Sequence, residues 1–167
     1  VVSAGRTVWD LFLRSALWFT LGVWIGAWLL FGIVVAPTAF RVLPSIEVAG
    51  SLVGPILAAL HLYGAAAGGV LALLALFLRR GPVLIALPLL MGAVCLYSHF
   101  GVSAELSEIR HLAFGPRGNA EFAARFNQLH RLSMTLFISL GAAAVLLLVL
   151  HTWSDIAERR RKSARIS

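Results

Sequence analysis

The stretch VVAPTAFRVLPSIEVAG, residues 34–50, changes character twice: it leaves a long apolar run at Pro37, meets its first charge at Arg41, and turns apolar again after Glu47. The runs around it explain so short a corner. Ser15–Phe40, Val48–Leu78, Gly81–Ala104 and Leu132–Ser154 contain no Asp, Glu, Lys or Arg. Each exceeds the roughly 20 apolar residues that cross a bilayer. The corner is read as a membrane-surface turn, and the fold class as all-α: an integral membrane four-helix bundle with spans over about residues 16–36, 48–78, 82–103 and 131–154.

Composition points the same way, with 60% hydrophobic residues, 13% charged and a mean hydropathy of +0.91. A soluble helical bundle would alternate polar and apolar faces at helical period, whereas these runs are apolar all round. The first run is also far longer than the roughly 7–15 residues of a signal-peptide core, and Pro37 blocks a cleavage site after Ala36. It is expected to be a retained helix.

The cations set the expected orientation. With cytoplasmic termini, Arg6, Arg14, Arg79, Arg80, Arg159, Arg160, Arg161, Lys162 and Arg165 lie inside, and Arg41, Arg110, Arg117, Arg125 and Arg131 outside. The excess inside favours a cell (inner) membrane protein with both termini in the cytoplasm. The same distribution accounts for the net charge of +7 and for the RRRK tail as topology determinants or contacts to anionic lipid, without nucleic acid.

Several local features refine the architecture. Residues 4–14 are read as an amino-terminal interfacial helix with Trp9, Leu11 and Phe12 toward lipid, and Pro37 ends the first span. Helix two begins near Ser45 and is kinked by Pro55. Arg79, Arg80, Gly81 and Pro82 form a tight hairpin to helix three. Val102, Leu106, Ile109 and Leu112 carry helix three past the lipid, GPRG breaks it, and Asn119 caps a final helix reaching about Arg159. This makes an extended outer hairpin between helices three and four, with Glu121 and Arg125 spaced as an i,i+4 pair.

In lipid, small residues let helices approach closely enough for dispersion to act. Gly22 and Gly26, Gly50 and Gly54, and Gly64 and Gly68 have that spacing, and each pair meets either a helix of this chain or a partner. Trp24 and Trp28 read as packing residues, as does the lone Cys95, which has no second thiol to pair with.

The pattern Gly32, Ala36, Pro37, Phe40, Leu43, Ala49, Gly50, Val53, Gly54 and Ile56, followed by Arg110, Phe126, Leu129, His130 and Ser133, resembles the transmembrane-protein-205-like family. The resemblance spans roughly residues 15–153 and departs at Met134 and Thr135, where an asparagine is expected. It implies a four-helix membrane domain without an assigned biochemical activity.

Chemistry, if any, rests on histidine. His61, His99 and His130 fall toward the outer side of their spans, and two neutral imidazoles from neighbouring helices are what a bis-histidine haem b or a copper site requires. The opposing reading, which is the expectation, is that they are structural, with His99 and His130 at the headgroups, His61 hydrogen-bonded to a backbone carbonyl or Tyr97, and no cofactor. Glu105, Glu108 and His111 offer an outer metal site, but Arg110 among them favours an ion-pair network. The seven carboxylates all lie outside the uncharged runs, and no hydrolase, metalloprotease or phosphate-loop motif is present. A non-enzymatic scaffold or accessory subunit, contacting lipid and other membrane proteins or a second copy, is therefore expected; the alternative is electron transfer or metal handling.

Overall fold

The computed structural model describes residues 4–114 and 118–164, with side chains for all of these except 4–6 and 162. Every regular element among them is helical. The chain forms four rods, and every rod is long and apolar enough to cross a membrane. The first comprises α1 (Ala4–Leu29), a π-helical turn (Leu30–Val35) and α2 (Ala36–Val42). The second is α3 (Ile46–Phe77). The third comprises α4 (Pro82–Tyr97), a second π turn (Ser98–Ser103) and α5 (Ala104–Phe114), and the fourth is α6 (Ala120–Ser163).

Two boundaries differ from the sequence reading. Residues 4–14 are not a separate interfacial helix: α1 runs unbroken through them, because Leu13, Leu17, Leu21, Trp24, Trp28 and Phe31 form one buried stripe at steps of three and four. Nor does Pro37 end the first rod. The Ala36 N–H reaches back to the Phe31 carbonyl in the wider π turn, and Pro37 then occupies the first turn of α2. There its missing N–H and fixed φ are tolerated. The rod accordingly continues to Val42.

The other ends follow local chemistry. Ser45 is extended, and its Oγ accepts the Val48 N–H at 3.2 Å, capping α3. α3 runs on through Pro55. It closes with the Arg80 N–H on the Ala75 carbonyl and the Arg79 N–H on the Leu76 carbonyl, both at 2.9 Å. This Schellman closure needs a left-handed residue, and Arg79 supplies it at φ 52°. Asn119 Oδ1 accepts the Glu121 N–H at 2.8 Å, and α6 then spans about 66 Å at 1.5 Å per residue. Residues 115–117 of the GPRG breaker lie outside the described residues.

The rods pack in a ring: α1 against α3, α3 against α4, α4 against α6, and α6 back against α1. α3 and α4 meet most closely. A β-carbon on Gly68 would stand 2.5 Å from the Pro88 carbonyl oxygen, and one on Gly64 2.8 Å from Cys95 Sγ. Trp24, Trp28, Leu71, Met91, Cys95 and Leu147 fill the centre. The Trp28 indole N–H donates to the Phe137 carbonyl at 2.9 Å. At the far end, Val102, Leu106 and Leu129 bury the seam of the α5–α6 hairpin.

Candidate functional site

The best-equipped site lies where α5 leans on the start of α3. The π turn at Ser98–Ser103 inserts an extra residue into its turn, so side chains beyond it are re-aimed relative to a straight helix. Arg110, one residue of that re-aimed segment, lays its guanidinium over Gly50 and Gly54. Its Cζ would be 3.5 Å from a β-carbon on Gly50, and its Nη2 3.1 Å from one on Gly54. That glycine pair therefore admits a cation, where the sequence reading had a helix backbone. The expected network with Glu105 and Glu108 does not form either: Glu105 takes Arg125 in a two-pronged pair, Nε–Oε1 at 2.7 Å and Nη2–Oε2 at 3.1 Å. Arg125 thus reaches across the hairpin, and the spacing with Glu121 goes unused because the facing carboxylate offers both oxygens. Arg110 forms no ion pair among the described residues, and its Nε is buried without a hydrogen-bond acceptor.

A pocket of about 390 Å³ opens beside it, lined by Ser51, Gly54, His99, Ser103, Ser107 and Arg110 together with apolar neighbours. His99 is half-buried, edge-on to Phe100 with ring centroids 4.6 Å apart, and its Nδ1 is enclosed without a partner. Behind it, His61 is 1% exposed, its ring 5.9 Å from that of Trp28 and both ring nitrogens unpartnered. His61 and His99 are near enough to interact electrostatically. His130 does not join them: it is exposed and stacked on Phe126 at 6.2 Å. Leu129, the preceding residue on α6, is the one buried in the hairpin seam, and a helical step of one residue carries His130 off that face. Among the described residues no group of three His, Cys, Asp or Glu side chains is placed to hold a metal ion.

The six packing glycines divide three ways. Gly64 and Gly68 lie at the α3–α4 contact, Gly50 and Gly54 under Arg110, and Gly22 and Gly26 face outward with nothing within 4 Å of an added β-carbon.

The opposite end holds a charged knot that sequence reasoning missed. Arg14 on α1 donates to Asp155 at 2.5 Å and to Glu158 at 2.6 Å, both on α6. Arg80, from the α3–α4 turn, donates to Ser154 Oγ at 2.7 Å and pairs with the same Asp155. Beneath them His151 is fully buried, edge-on to Trp18 at 6.4 Å, with both ring nitrogens unpartnered. The available signal was positional: these charges stand at the same ends of three apolar runs.

Four rods of this length and hydropathy, with large apolar side chains on their outer faces, define a multi-pass helical membrane protein in contact with the lipid bilayer. Residues 19–114 match the profile of the family described as "Domain of unknown function (DUF4149)", and the chain belongs to that family. The matched segment contains the Arg110 pocket and both adjacent histidines and ends before α6. No curated protein and no solved structure matches the chain.

Proposed function

We propose that the protein is a non-enzymatic helical scaffold or accessory subunit, held in the cell (inner) membrane with both termini in the cytoplasm and packed against other membrane proteins or a second copy. One observation carries this reading: Gly22 and Gly26 form an unfilled small-residue pair on the outer face of α1, one turn apart. In lipid such a pair lets another backbone approach, where dispersion and weak Cα–H···O contacts take effect. The resemblance to the transmembrane-protein-205-like family agrees with the four-helix membrane architecture, and the arginine asymmetry supports the orientation.

Because an added β-carbon at Gly22 or Gly26 has nothing of the described residues within 4 Å, Gly22→Leu and Gly26→Leu are expected to preserve the fold while abolishing in-membrane cross-linking and co-purification of the partner. Gly68→Leu, by contrast, pushes α3 from α4 and is expected to unfold the bundle. Cross-linking that survives both outer substitutions would refute the reading.

A second reading, a b-type haem or copper protein, draws on the unpartnered nitrogens of His61 and His99. The pocket is lined by His99 but not by His61, which leaves no open face for a macrocycle, so a compact copper ion suits the pair better than haem. Arg110 on the same pocket works against any cation there.

A further inference from the structure

We infer that the pocket between α3 and α5 binds a phosphate-class oxyanion, with the Arg110 guanidinium as its charged ligand and His99 and Ser103 as further donors. Three observations converge. Arg110 is half-buried, forms no ion pair among the described residues, and has an enclosed Nε with no acceptor. A guanidinium partly withdrawn from water without an anion carries part of the desolvation cost of a buried charge, which a bound anion offsets. Its planar fork of donors suits two oxygens of one phosphate.

The remaining lining sorts by hydrogen-bond capacity. The hydroxyls of Ser51 and Ser107 already donate to the carbonyls of Val48 and Ala104, at 2.8 and 2.7 Å. Among the described residues Ser103 makes no side-chain hydrogen bond, and His99 Nδ1 is unpartnered. No carboxylate lines the pocket: Glu105 is committed to Arg125, and Glu47 and Glu108 are exposed. A cation would thus meet only a guanidinium and neutral groups, whereas an oxyanion meets donors. Gly50 and Gly54 make room for this arrangement, since a side chain at Gly54 would displace the guanidinium.

Phosphate oxygens reach such a place in two ways: on an acidic phospholipid headgroup, whose chains would lie along exposed Ile56 and Phe100, or as free inorganic phosphate. The test uses the intact chain in detergent, titrated separately with phosphatidylglycerol, phosphatidylcholine and inorganic phosphate, with binding read by native mass spectrometry and thermal shift. Wild type is expected to hold one phosphatidylglycerol in preference to phosphatidylcholine. Arg110→Gln should weaken that binding by about tenfold or more, the loss of one charge-assisted contact. Arg41→Gln, which removes an exposed arginine from the same end, should change nothing.

Phosphatidylglycerol binding that millimolar phosphate does not displace assigns the site to the headgroup. Phosphate binding that is lost in Arg110→Gln assigns it to the free ion. Should Arg110→Gln fail the helical circular-dichroism check, Gly54→Ala, which leaves the arginine but moves it, and Arg110→Lys, which keeps charge without the fork, are both expected to bind more weakly than wild type. Wild type that neither prefers phosphatidylglycerol nor binds phosphate overturns the inference. So does undiminished binding in the folded Arg110 and Gly54 variants.

Discussion

The two ends of the bundle use arginine in opposite ways. At the end shared by the termini, Arg14 and Arg80 converge on Asp155, and the Arg80 side chain is 4% exposed. At the hairpin end, Arg125 and Glu105 pair in the open with side chains 48% and 37% exposed, while Arg110 sits half-buried over two glycines with no carboxylate. Burial decides what each arrangement does. A shielded pair joins three elements and is costly to break, an exposed pair is screened by water, and an unpaired cation beside a pocket is left available to a ligand.

Asp155→Asn is expected to have the largest effect, because it leaves Arg80 buried without a full counter-charge. A loss of about 3–5 kcal/mol is anticipated from denaturant unfolding in lipid–detergent mixtures. A loss below about 1 kcal/mol would mean that Ser154 and Glu158 suffice, and that this end is no clamp. A smaller effect of opposite sign is expected next to it. Arg79→Gly removes the left-handed strain of a residue with a β-carbon and should raise stability by about 1 kcal/mol in the same assay. An unchanged midpoint would show that the positive φ costs nothing in this turn. The smallest effect belongs to the hairpin end, where Glu105→Gln should leave the unfolding midpoint where it was. A clear drop there would place the exposed pair on the same footing as the buried one and dissolve the contrast.

Features governed by neighbours in sequence were legible in advance. The four rods, the start of helix two near Ser45, the Asn119 cap, the Arg79–Pro82 hairpin and the extension of helix three past its apolar run depend on hydropathy, apolar spacing, a capping amide and turn residues within a few positions of one another. The first rod was misjudged at Pro37 because a π turn changes which backbone groups pair, and no residue type marks one reliably. The same limit concealed the re-aiming of Arg110 by the second π turn. Position along the sequence gives His61, His99 and His130 a similar depth and nothing more. The structure brings His61 and His99 onto elements that pack together, α3 and the second π turn, and leaves His130 exposed, because rotation about a helix axis, not depth, decides which way a side chain points.

The sequence by itself determined that this is a four-span helical membrane chain, since an uncharged run of that length has one inexpensive conformation in lipid. Only the tertiary structure decided which charges meet. Arg14 finds Asp155 across 141 positions and Arg80 finds it across 75, separations at which spacing along the chain carries no information about contact. It also decided that Arg110 pairs with no carboxylate among the described residues, because the nearby Glu105 is held by Arg125 on the facing helix.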